Sequence, residues 1–199
     1  MNRREPIVTN LQNKKQVYII HGYTASPSDH WFPWLQDKLQ EDGVSVDILD
    51  MPNSQAPQLH EWTQHLLSSI EVLHKDTYFV GHSLGCVSIL RYLQQVSIPE
   101  QLGGLVFVSG FTDPVPTLPS LDEFTTDKLD YEQIMDSVKM RTVIASKDDS
   151  IVPFALSKKL AKDIQADFHE VEHGGHFLER DGFTSLPIAY QVLMDMMKS

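Results

Sequence analysis

The extended run Thr77-Tyr78-Phe79-Val80 passes directly into Gly81-His82-Ser83-Leu84-Gly85, which passes directly into an apolar stretch of helical length, Cys86 to Gln95. A strand joined to a helix by so few residues must turn sharply. Glycine on either flank of Ser83 removes the side chains that would collide in such a turn. The serine backbone is left strained, with its hydroxyl thrust out of the sheet. The competing reading is a glycine-rich turn whose serine only caps the following helix.

The rest of the chain repeats this alternation. Apolar or β-branched runs at Gln16 to Ile20, Val44 to Leu49, Thr77 to Val80, Gly104 to Ser109, Arg141 to Ala145 and Phe168 to Glu172 predict six short strands. Amphipathic stretches at Asp29 to Gln40, His60 to Leu73, Leu84 to Gln95, Phe154 to Ile164 and Ser185 to Met197 predict helices. Strand and helix in turn call for an α/β fold: a mainly parallel six-stranded sheet, helices on both faces, functional loops at the carboxyl ends of the strands. At 199 residues one domain is expected, residues 1–199. Only residues 111–131, with Pro114, Pro116 and Pro119, break the rhythm. They read as an excursion over the sheet, either a short lid or substrate wall or a long surface connection.

Composition excludes several classes. Charged residues at 22% and hydrophobic ones at 41% are ordinary for a globular chain, so neither disorder nor a membrane class is indicated. A net charge of -11 with no basic stripe repels phosphate backbones and anionic lipid, so nucleic acid and membrane are not expected partners. The apolar run Val17 to Ile20 is far too short for an export signal, and the single Cys86 cannot form an internal disulfide. A cytoplasmic location is expected. As a rival nucleophile Cys86 is placed poorly, because three residues after Ser83 it should lie beneath the turn, facing the sheet.

A serine hydroxyl is a weak nucleophile, so Ser83 needs a base within hydrogen-bond reach and an acid to orient that base. Among nine histidines His176 is the best placed, since Glu172-His173-Gly174-Gly175-His176-Phe177 follows the last predicted strand and its glycines permit an abrupt loop. His173 is the rival but precedes the glycines. His82 adjoins the serine, with a side chain turned aside. A metal site of His169, His173 and His176 would need them on one face, which the strand and glycine pattern precludes. No metal and no cofactor is expected. For the acid, Ser146-Lys147-Asp148-Asp149-Ser150-Ile151-Val152-Pro153 follows the fifth predicted strand and offers two aspartates, with Asp113 a third candidate on the preceding loop. An oxyanion needs two backbone amides, of which Leu84 supplies one by position.

Together, the His21-Gly22 loop, the Gly81 to Gly85 turn, the Asp149 to Pro153 loop and His176 resemble the alpha/beta-hydrolase superfamily over nearly the whole chain. Gly22-Tyr23-Thr24-Ala25-Ser26, His30-Trp31 and the His173 to Phe177 segment resemble, within it, the small serine hydrolases of the YdeN and retinoblastoma-binding serine hydrolase type. The resemblance implies a compact sheet without the N-terminal hairpin of the full superfamily. It implies Asp149 as the orienting acid, the Tyr23 amide as the second oxyanion donor, and carboxylic-ester hydrolysis. Ser146 stands where many superfamily members carry glycine.

Trp31, Trp34, Phe111, Leu118, Ile151 and Phe177 are candidate walls of an apolar substrate site, with core packing as the alternative for the tryptophans. The expected function is cleavage of a small, largely uncharged ester by a Ser83, His176 and Asp149 acyl-enzyme route. The alternatives are a protein-binding module on a hydrolase scaffold, or peptide, amide or thioester cleavage by the same residues.

Overall fold

Alternate residues of each strand feed opposite faces of one sheet, and this sorts the apolar side chains into two cores. In β1 (Gln16–Ile20), Tyr18 and Ile20 enter one core while Val17 and Ile19 enter the other. The structure, a computed structural model, describes residues 14–71 and 73–199. The remaining strands are β2 (Ser45–Leu49), β3 (Thr77–His82), β4 (Leu102–Val108), β5 (Val138–Ser146) and β6 (Asp167–Val171). They form a single six-stranded sheet in the order β2-β1-β3-β4-β5-β6, with every neighbouring pair parallel. Every residue of β3 and β4 is buried, as expected of central strands covered on both sides, whereas the edge strand β6 is largely exposed.

Helices α1 (Phe32–Glu41) and α6 (Pro187–Met196) cover one face. Helices α2 (Leu59–Ser69), α3 (Leu84–Leu93), α4 (Tyr131–Ser137) and α5 (Phe154–Asp163) cover the other. All ten residues of α3 are buried, which accounts for a helix apolar nearly all round. Among the described residues no helix is long and apolar enough to cross a membrane.

All six predicted strands are present, with ends shifted by a few residues. The first helix begins at Phe32 and not at Asp29, because His30 adopts φ 56 in the left-handed region, which no right-handed helix accommodates. Helix α4 and a 3-10 turn at Pro119–Phe124 were not foreseen. Both belong to or adjoin the 111–131 excursion, which is packed down on α3 through buried Leu121, Phe124 and Leu129. Buried Arg91 of α3 pins it further, donating from Nε to the Phe124 carbonyl at 3.0 Å and from Nη2 to the Asp127 carbonyl.

From β1 the chain first runs outward to β2 and then returns to β3 on the other side of β1. The strand order therefore reverses at β1 and β3. Such a switch point opens a crevice at the carboxyl ends of the two strands, where the loops from Ile20 and His82 emerge side by side.

Candidate active site

Ser83 occupies φ 54, ψ -119, a strained conformation for a residue with a side chain. The surroundings enforce it. A Cβ on Gly81 would lie 2.8 Å from Cys86 Cα, and one on Gly85 would lie 2.2 Å from the Ile20 carbonyl oxygen. Helix α3 thus starts hard against the end of β1, and Ser83 is held in place by donating its amide to the Val108 carbonyl at 2.9 Å. Cys86 is fully buried beneath the turn, where burial pushes its thiol pKa well up and its Sγ lies 3.7 Å from the Val108 carbonyl.

The loop after β6 is tied down through its backbone. Asp148 Oδ1 accepts the amides of Gly174 at 3.0 Å and Gly175 at 2.9 Å, and the Ser146 hydroxyl at 2.6 Å. That hydroxyl and then the two amides hold the Asp148 carboxyl far below the ordinary carboxylate range. Asp181 Oδ2 accepts the amides of His176 at 3.0 Å and Leu178 at 3.2 Å. From the sheet side, His82 Nε2 donates to the His176 carbonyl at 2.9 Å, and its ring stands 4.9 Å from that of His176. Burial lowers the His82 pKa strongly, so its ring is neutral.

The His176 ring meets Asp149 through Nδ1 and Oδ2 at 2.8 Å, with the side chains 6% and 2% exposed. Asp149 is oriented in turn by the amides of Ile151 and Val152, each donating to Oδ1 at 2.9 Å. A carboxylate only accepts, so the imidazole proton sits on Nδ1 and Nε2 keeps its lone pair. His173 is almost fully exposed and reaches only Asp148, at 3.2 Å. Exposed His169 lies on β6, so the three histidines do not converge, and no metal-holding cluster exists among the described residues.

His21 is buried and serves the loop that carries Tyr23. Its Nε2 accepts the Met51 amide at 3.0 Å, so the proton is on Nδ1, which donates to the Gly22 carbonyl at 2.9 Å. Burial lowers its pKa, which suits this neutral form. Gly22 is required by close approach: a Cβ there would meet Ser83 Cβ at 2.9 Å. Neither the Tyr23 nor the Leu84 amide donates to a protein acceptor among the described residues.

Ser83, His176, Tyr23 and His82 line one cleft of about 740 Å³, open to solvent along one side. Residues 17–195 match the family model for serine hydrolases. The chain belongs to the serine hydrolase family. It is 57% identical over 179 residues to YdeN of Bacillus subtilis (strain 168), spanning 90% of this chain and 94% of YdeN. The crystal structure of the ydeN gene product superposes with a TM-score of 0.92 at 54% identity, covering 94% of this chain and 100% of that one. The esterase domain of a Rhodothermus marinus protein shares the fold, with a TM-score of 0.65 at 16% identity over 96% of this chain and 89% of that one.

In this serine hydrolase Leu118 and Ile151 line the cleft, while four other residues expected there do not. Trp31, Phe111 and Phe177 are fully buried in the two cores, and Trp34 packs edge-on against Tyr190 at 6.3 Å. For Trp31 the reason is helix rotation: α1 turns Phe32, Leu35 and Leu39 onto the sheet, and Trp31 follows them in, its ring 4.7 Å from Phe32, while Phe177 is drawn in against Phe183 at 5.0 Å. The cleft is lined instead by residues not expected to wall it, among them Ala25, Asp29, Thr117, Leu178 and Arg180. His30 belongs with them. In the sequence it stood only within the His30-Trp31 pair of the family resemblance and on a loop at the carboxyl end of a strand, with no role attached to it.

Proposed function

We propose that the protein hydrolyses a small, largely uncharged carboxylic ester through an acyl-enzyme formed on Ser83. The observation that carries this reading is the 2.8 Å bond between His176 Nδ1 and Asp149, in the cleft that Ser83 enters with a strained backbone. With Nδ1 protonated and held, Nε2 is the atom left to take the serine proton as Oγ attacks the ester carbonyl carbon. The bond between the carbonyl carbon and the alcohol oxygen then breaks, and Nε2 returns the proton to the departing oxygen. Water repeats the sequence on the acyl-enzyme, releasing the carboxylic acid and restoring the serine hydroxyl. Asp149 stays ionised throughout and stabilises the imidazolium, while the amides of Tyr23 and Leu84 face the developing oxyanion.

Membership of the serine hydrolase family supports the reaction class, and the shared fold of the Rhodothermus esterase domain supports the choice of ester. The test is turnover of p-nitrophenyl butyrate by wild type and by Ser83→Ala. Loss of a serine nucleophile costs on the order of 10⁴ to 10⁶ in kcat. An alanine variant as fast as wild type would end this reading.

A further inference from the structure

His30 sits at the rim of the cleft in a conformation that its chemistry alone does not require. Its backbone lies at φ 56, a strained position for a side-chain-bearing residue and one that clusters at functional sites. The ring makes edge-on contacts with Phe32 at 5.5 Å and with His82 at 5.8 Å. One nitrogen is accounted for: the Glu179 amide donates to Nδ1 at 3.1 Å. An amide can only donate, so Nδ1 is the unprotonated nitrogen and the neutral ring carries its proton on Nε2. Partial burial lowers the His30 pKa and favours this neutral form.

The Nε2–H has no acceptor among the described residues, yet it is not one of the sealed, unpartnered polar atoms of the interior. Asp29 and Glu179 line the same cleft but neither accepts from it, and Asp29 Oδ2 is engaged by the Ser26 amide at 2.7 Å. We propose that His30 Nε2–H is a substrate-recognising donor, directed at an acceptor oxygen in the alcohol half of the ester. The side of the cleft follows from the neighbouring rings. His30 stands 5.8 Å from the His82 ring, which stands 4.9 Å from that of His176, and His176 is the group that hands the proton to the departing alcohol. The substrate class is thereby narrowed to esters of alcohols that carry an ether or hydroxyl oxygen close to the ester bond. This inference rests on the hydrolase reading above.

Two esters of the same acid separate the possibilities: n-butyl butyrate and 2-methoxyethyl butyrate, which differ by one methylene replaced with an ether oxygen. His30→Asn keeps an oxygen where Nδ1 accepts the Glu179 amide and tolerates positive φ, but has no donor at the Nε2 position. His30→Gln places an amide donor near that position. The expected result is that the ratio of kcat/KM for the ether ester over the butyl ester falls roughly five- to tenfold in His30→Asn, the effect of one hydrogen bond. His30→Gln should recover part of it. An unchanged ratio, or an equal loss on both esters, would overturn the assignment while leaving Ser83-dependent turnover intact. A wild-type chain that turns over neither ester would remove the hydrolase reading and this inference with it.

Discussion

Asp148 and Asp149 are neighbours in the chain whose carboxylates grip the same loop at two different points. Asp149 takes the His176 ring at 2.8 Å, whereas Asp148 takes the backbone amides of Gly174 and Gly175 at 3.0 and 2.9 Å. One holds the imidazole and the other holds the backbone that carries it. Replacing an orienting acid by its amide presents the wrong tautomer and lowers kcat by roughly 10⁴. Asp149→Asn should show a loss of that order. Asp148→Asn retains an acceptor oxygen and should lose less than about tenfold, the scale of one weakened hydrogen bond. Steady-state kinetics on both variants decides; a reversed order would make Asp148 the orienting acid.

The same Asp148 cluster gives an acid limb to stability. Its carboxyl is depressed in the folded state by the Ser146 hydroxyl and the two glycine amides, below an unfolded value of about 3.9. A depressed acid stabilises the fold above the unfolded pKa and loses that contribution as pH falls through the folded value. Urea unfolding of wild type and Asp148→Asn should therefore show a constant gap above about pH 5 that narrows as the pH drops below about 4. A gap that widens on acidification would contradict the assignment.

Gly85 tests how rigidly the turn at Ser83 is built. An added Cβ would lie 2.2 Å from the Ile20 carbonyl oxygen, and backbone cannot yield as the tip of a flexible side chain can. Overpacking of this kind costs about 1 to 3 kcal/mol or more. Gly85→Ala should lower Tm and, by shifting α3 with its first amide, reduce turnover as well. Thermal unfolding at wild-type Tm would show that α3 does not seat on β1 as described.

The parts of this architecture legible in the sequence are those in which one local rule decides the outcome. The strands show as apolar runs, and the turn at Ser83 shows because Gly81 and Gly85 answer to sterics within a few residues. Trp31 and Phe177 are different. An aromatic residue near a strand end enters the cleft or the core according to helix rotation and loop path, which depend on packing far away in sequence. The place of His30 in the cleft was not legible for the same reason: its orientation hangs on Glu179, 149 residues along the chain. Helix α4 escaped notice because only Ile134 of its seven residues is buried, leaving little periodicity to read.

The apolar wall of the cleft is short. Ala25, Leu118, Ile151 and Leu178 supply it, among polar neighbours such as Thr24, Asp29, Thr117 and Ser150. Each buried methylene contributes about 0.8 kcal/mol only while wall remains to receive it. Specificity across p-nitrophenyl esters from acetate to palmitate should peak at acyl chains of about two to six carbons. A steady rise in kcat/KM to the longest chain would show that the open side of the cleft continues as a lipid groove.

Covalent labelling tests most directly whether Ser83, activated by His176, is the nucleophile. A fluorophosphonate reacts with a serine only where a base stands ready to take its proton. Intact-mass analysis with peptide mapping should find a single adduct on Ser83 in wild type, and labelling should become far slower in His176→Ala. Buried Cys86 should remain unmodified. An adduct on another residue, or none in folded wild-type protein, would contradict the account.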